Sequence, residues 1–111
     1  MQTLRENTIL QGGKYTIISI LGQGGFWITY LGVQSGLDRK VAIKEFFIRE
    51  MCERDDSTNH VTLGTEGSRE TVDMYRQKFL KEARSIAQLN HPNIVRIIDV
   101  FEENGTAYYV M

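Results

Sequence analysis

Cysteine, proline and tryptophan each occur once in this chain of 111 residues, and neither sign of charge dominates. The lone thiol, Cys52, has no partner for an internal disulfide, which suits a reducing compartment. A net charge of −1, with 24% of residues charged, leaves no basic stripe. Nucleic acid and anionic membrane surfaces are therefore poor partners. Long apolar runs are also missing, because Arg5, Glu6, Lys14 and several glycines interrupt the N-terminal stretch. Neither a signal peptide nor a spanning helix is expected in this segment, and a cytoplasmic location is the natural expectation. Cys52 and His60 stand outside any metal-ligand spacing, and no metal site is expected here. The length allows at most one domain, burying roughly 60 to 70% of its unfolded surface.

What the chain does hold is a glycine-rich turn. Leu21-Gly22-Gln23-Gly24-Gly25-Phe26-Trp27-Ile28-Thr29-Tyr30 sets glycines between two β-like runs, and Val41-Ala42-Ile43-Lys44 follows. Such a turn leaves backbone N–H groups free to close over an anion, and a lysine on the next strand reaches the same anion. This is a phosphate-binding arrangement. A P-loop is excluded, because neither Lys14 nor Lys40 stands in a Gly-x-x-x-x-Gly-Lys frame. A dinucleotide fingerprint must open a helix, whereas Trp27 to Leu31 is β-branched and aromatic and reads as strand. On the loop alone, a plain hairpin whose glycines serve only the turn stays open.

In chain order, Met1 to Gly13 is a polar lead-in with Leu4, Ile9 and Leu10 as anchors, broken by Gly12-Gly13. Tyr15 to Leu21 and Phe26 to Val33 read as an antiparallel hairpin, and Lys40 to Phe46 as a third strand. Alternation puts Lys40, Ala42 and Lys44 on one face of that strand and Val41 and Ile43 on the other. Small Ala42 beside Lys44 leaves room for a flat ligand. Residues 47–65 are the least regular part: 48–54 reads as a helical turn or two, 55–59 as a loop and 60–64 as a small strand. Glu70 to Leu89 is a helix, with Val72, Tyr75, Phe79, Ala83 and Ile86 recurring at intervals of three and four. Ser68 is its candidate N-cap, Glu66 and Glu70 suit the positive end of the dipole, and Asn90-His91-Pro92 ends the run. Glu82 falls on the edge of the apolar face, where it either points at whatever the helix packs on or pairs with Lys78 in solvent. Ile94 to Phe101 and Thr106 to Met111 form a hairpin around Asn104-Gly105. The last strand stops without a cap or polar tail, as a truncated chain would.

This order of parts, and its residues, resemble the N-terminal lobe of a protein serine/threonine kinase of the bacterial, eukaryotic-like type, over nearly the whole chain. The matching pieces are Tyr15-x-Ile17 leading into Leu21-Gly22-x-Gly24-x-Phe26, then Val41-Ala42-Ile43-Lys44, Phe79-x-x-Glu82-Ala83, His91-Pro92-Asn93-Ile94-Val95 and Tyr109-Val110-Met111. The resemblance implies an α+β fold over residues 14–111: a five-stranded antiparallel sheet packed with one long helix, the C-helix. Lys44 and Glu82 are 38 positions apart (82 − 44), more than such a lobe usually has, so an insertion is expected at 47–65. The implied ligand is ATP with Mg²⁺, whose metal ligands lie outside this chain, and the implied partner is a protein substrate held by an absent second lobe. Gly22, Gln23, Gly24, Gly25, Phe26 and Trp27 would form the loop over the phosphates. Lys44 would pair with the α- and β-phosphates while Glu82 fixes its ammonium group. Leu21, Thr29, Ala42 and Val95 would line the adenine pocket, with ordinary sheet core as the alternative for Ala42 and Val95. Met111 would be the gatekeeper just before the hinge.

The chain departs from that pattern in ways that bear on function. Trp27 replaces the third loop glycine and Thr29 the valine two positions later, which puts the closeness of the loop to ATP at issue. No His-Arg-Asp, Asp-Phe-Gly or Ala-Pro-Glu triplet occurs. The base and the Mg²⁺ ligands of phosphoryl transfer are thus not supplied here. The expectation is phosphoryl transfer to protein Ser or Thr in the intact protein, with this fragment inactive by itself. The alternative is a pseudokinase-like lobe that serves protein contacts. Apolar side chains at the end of the C-helix and an open strand edge predict self-association.

Overall fold

Alternation along residues 39–46 sets the two faces of the molecule: Val41, Ile43 and Glu45 are buried, Lys40 is exposed, and Ala42 and Lys44 are half-buried. The structure, a computed structural model, describes residues 2–64 and 68–111. Glu66, expected near the helix start, lies outside the described residues. Strands β1 (Ile9–Leu10), β2 (Tyr15–Gln23), β3 (Trp27–Gln34) and β4 (Arg39–Phe46) precede a small pair, β5 (Cys52–Arg54) and β6 (Val61–Leu63). Helix α1 (Arg69–Ala87) and strands β7 (Asp99–Glu103) and β8 (Thr106–Val110) complete the chain. The main sheet is antiparallel throughout, in the order β1-β2-β3-β4-β8-β7, and β5 pairs with β6 apart from it.

The sheet has six strands where five were expected. The extra one comes from the polar lead-in: Leu10 is fully buried, and Asn7 N–H donates to Ile17 O while Ile17 N–H donates to Thr8 O, both at 2.8 Å. These bonds occupy the outer edge of β2, which otherwise presents unpaired backbone groups. Residues 52–54 form a strand and not the expected helical turn. Cys52 and Arg54 are buried with exposed Glu53 between them, the period of a strand, and the backbone pairs with Val61–Leu63. The run from Ile94 is also shorter as a strand than its β-branched composition implied. Asp99 already faces Val110, the last residue of β8, so the residues before Ile98 have no ladder to join.

Helix α1 starts where its cap predicts, with Ser68 Oγ accepting from Thr71 N–H at 3.5 Å. It packs on the Lys44 face of the sheet, where the Phe79 ring lies 5.6 Å from Phe46 and 5.1 Å from Tyr109. Leu80 and Ala83 are buried, Val72, Tyr75 and Phe79 are partly so, and Ile86 is exposed at the helix end. The opposite face of the sheet is covered by the lead-in, through Leu4 and Leu10, and by the β5–β6 hairpin. That hairpin hangs on the β7–β8 turn, where Val61 N–H donates to Asn104 O at 2.7 Å. Asn104 and Gly105 both have positive φ, as a two-residue hairpin turn requires.

Candidate functional site

Strand register brings most of the expected residues onto one face. Gly22 lies opposite Thr29, Thr29 opposite Lys44, and Lys44 opposite Tyr109, so one rung crosses four strands. Two residues along, Ala42 N–H donates to Met111 O at 2.8 Å and Met111 N–H donates to Ala42 O at 2.9 Å. Thr29, Ala42, Lys44 and Met111 thus share the face on which α1 packs. Leu21, at the end of β2, is exposed, and so is Gln23, whose amide donates to Gln2 Oε1 at 3.3 Å. Val95 is 62% exposed in the irregular segment between α1 and β7 and does not take part in the rung.

The glycine loop is a tight turn with a fastened tip. Gly24 N–H donates to Trp27 O at 2.9 Å, leaving Gly25 and Phe26 as the turn residues. The Gly25 and Phe26 carbonyls accept from Arg49 and Phe47 N–H, each at 2.9 Å, and the Phe26 ring meets Tyr75 of α1 edge-on at 5.0 Å. A Cβ at Gly22 or Gly25 would meet no atom within 4 Å, so the backbone there is open to a ligand. At Gly24 it would come within 2.8 Å of Trp27 Cε2. Glycine at that position makes room for the indole, and the indole covers it.

Lys44 takes its partners from aromatic faces. Its ammonium stands 4.3 Å from the Trp27 ring centroid and 5.6 Å from that of Tyr109, both within cation–π range. Among the described residues no carboxylate lies within ion-pair distance of it. Glu82 is exposed on α1 and lines a cleft of about 210 Å³ together with Trp27, Phe26, Tyr75 and Phe79. The structure therefore gathers Gly22, Thr29, Ala42, Lys44 and Met111, and leaves Lys44 and Glu82 unpaired with each other. Tyr109 was not among the expected site residues. Its signal was its position two residues before Met111, on the same face.

The back of β4 carries a second polar cluster that sequence reading missed. Glu45 is wholly buried; one carboxylate oxygen accepts from Tyr30 at 2.8 Å and from the Arg54 guanidinium, and the other accepts from Tyr108. Arg54 also donates to Gln2 O and Asn59 O, each at 2.8 Å, and Tyr30 accepts from Leu4 N–H at 3.0 Å. Burial pushes the Glu45 carboxyl above its usual range, against the pull of Arg54 and the two hydroxyls. Burial, and then the Glu45 charge, push the Tyr30 and Tyr108 hydroxyls up as well. This cluster ties lead-in, sheet and β5–β6 hairpin together, so its chemistry is structural.

No family model matches the chain. It is 37% identical over 106 residues to the serine/threonine-protein kinase PksC of Streptomyces coelicolor, an alignment covering 92% of this chain and 16% of PksC. To the serine/threonine-protein kinase PrkC of Bacillus subtilis it is 35% identical over 99 residues, covering 89% of this chain and 12% of PrkC. Among solved structures, PpkA-294 in its apo form matches with a TM-score of 0.91 and 30% identity, over 99% of this chain and 38% of that one. The chain spans 16% or less of the length of these two curated relatives.

Proposed function

Because the chain is homologous to bacterial serine/threonine-protein kinases and has the fold of a kinase N-terminal lobe, we propose that it is the ATP-binding lobe of such an enzyme. The intact protein would transfer a phosphoryl group from ATP to Ser or Thr of a protein substrate, in the cytoplasm. The observation that carries this reading is the rung from Gly22 through Thr29 to Lys44, flanked by glycines with open space above them. Gly22 and Gly25 let the backbone approach phosphates, and Lys44 supplies a positive charge at the same place. Leu21, Thr29, Ala42, Val95 and Met111 are assigned to the adenine side, and Glu82 to orienting Lys44. Among the described residues, no three His, Cys, Asp or Glu side chains converge as a metal site. The Mg²⁺ that accompanies ATP is assigned to ligands outside this chain, because no His-Arg-Asp or Asp-Phe-Gly triplet occurs in its sequence.

Calorimetric titration with ATP, with and without Mg²⁺, tests the assignment. Lys44→Ala is expected to weaken binding by roughly tenfold or more, since the charge on the phosphates is lost. Equal affinity in the two proteins would sink the reading. The chain alone is expected to transfer no phosphate, and labelling of a substrate protein above a Lys44→Ala control would overturn that. A second reading, a lobe serving protein contacts, draws on Ile86, Leu89, Ile94, Val95 and Ile98, which are all exposed. They also underlie an expected self-association, and light scattering showing a monomer at high concentration would count against it.

A further inference from the structure

Trp27 stands where the resemblance calls for a loop glycine, and its indole has a built seat. Gly24 yields it space that any Cβ would fill, and the Lys44 ammonium lies against it at 4.3 Å. The same ring lines the cleft that holds Glu82. An ammonium beside an indole is attracted by the negative face of the ring, without the desolvation that a buried carboxylate partner would entail.

We propose that Trp27 is a positioning residue for Lys44: in the nucleotide-free chain its indole holds the lysine in place of Glu82, and nucleotide binding draws Lys44 off the ring. This deepens the ATP-lobe reading and rests on it. The latch is weak enough to yield to phosphates, since a partly exposed cation–π contact is worth a few-fold in an equilibrium constant, whereas a charge-assisted phosphate contact is stronger. Only the fraction of molecules whose lysine is free meets the phosphates at full strength, so the latched state lowers apparent ATP affinity.

Trp27 is the sole tryptophan, so emission excited at the red edge of the indole band, where tyrosine absorbs little, reports on this residue. Lys44→Met is expected to change the emission of the nucleotide-free chain, and ATP with Mg²⁺ is expected to move wild-type emission in the same direction. By calorimetry, Trp27→Gly should bind ATP roughly two- to fivefold more tightly than wild type, with Trp27→Phe in between because it keeps an aromatic face. A residue that only braced the loop would instead lose affinity in Trp27→Gly and leave emission indifferent to Lys44→Met. The proposal is overturned if Lys44→Met leaves emission unchanged, or if wild type binds ATP and Trp27→Gly binds no more tightly. Absence of ATP binding in wild type, Trp27→Gly and Trp27→Phe alike would overturn the ATP-lobe reading itself, and the emission of Lys44→Met then still decides whether the resting contact exists.

Discussion

Lys44 and Glu45 are neighbours on β4 with opposite fates. Glu45 faces a closed interior and is met by a guanidinium and two hydroxyls. Lys44 faces the glycine loop, half-buried, and is met by ring faces alone among the described residues. A carboxylate locked on every side cannot serve a ligand without unfolding something. An ammonium resting on an indole can be taken over by a better anion at little cost. The strand thus puts its structural charge and its working charge one residue apart, because alternation sends adjacent side chains to different faces.

The contrast is tested most sharply by removing Arg54. Arg54→Ala leaves the Glu45 carboxylate buried with only tyrosine donors, and about 3–5 kcal/mol of stability is expected to be lost in urea denaturation. The pH dependence carries a sign. A carboxyl whose folded pKa is raised above its unfolded value contributes stability that is present at low pH and lost as pH rises through the folded pKa. Without Arg54, Glu45 is raised further, so the deficit of the variant should be greater at neutral pH than at the acid end of the carboxylate range. A loss under about 1 kcal/mol at neutral pH would mean that the cluster does not lock this side of the sheet.

The tyrosines of the locked face offer an alkaline counterpart. Tyr30 and Tyr108 are raised above the ordinary value of 10.0 by burial and the Glu45 charge, and Tyr15 by burial and its hydrogen bond to Asp99 at 2.7 Å. Their contribution is full below the unfolded pKa and falls as pH rises beyond it. Ionisation of these three, followed at 295 nm, is expected to coincide with loss of circular dichroism. Substantial ionisation before unfolding, in the part of the signal that Tyr15→Phe, Tyr30→Phe and Tyr108→Phe each remove, would show the pocket to be open.

Next in size is Gly105→Ala. Its φ of +70° disfavours any side chain, and a Cβ would stand 2.6 Å from His60 Nε2 and 2.9 Å from Val61 O. The left-handed backbone and the displaced hairpin together should cost about 1–3 kcal/mol. The change loosens the β5–β6 hairpin, and with it Arg54, from the β7–β8 turn. ATP affinity should stay near the wild-type value, because the Lys44 face is not touched. A parallel loss of affinity would couple the two faces.

Much of this arrangement was legible in the sequence. β-branched alternation marked β2, β3 and β4, Asn104-Gly105 marked the last hairpin, and Ser68 with the apolar spacing of Val72, Tyr75 and Phe79 marked α1. The Gly22, Thr29, Lys44 rung followed from those strands once paired. The partner of Glu45 did not. Arg54 lies nine positions on (54 − 45), across an irregular segment whose strand character depends on pairing with Val61–Leu63. The available signal was Glu45 itself, a charge at the next position of the buried Val41 and Ile43 series. The meeting of Trp27 and Lys44 was hidden for another reason: it depends on a turn at Gly25 and Phe26 that folds the indole back on Gly24.

The smallest expected effect is on stability in Lys44→Met. The methionine keeps most of the aliphatic stem against Tyr109 and the strand, and only the ammonium's contact with the indole disappears. A partly exposed cation–π contact contributes about 0.5–1 kcal/mol, and the desolvation of the half-buried charge is recovered when that charge is removed. Denaturation midpoints of Lys44→Met and wild type should therefore agree to within about 1 kcal/mol, while Arg54→Ala falls well below both. If Lys44→Met matched the loss in Arg54→Ala, Lys44 would be a structural charge like Glu45, too firmly held to move onto a phosphate.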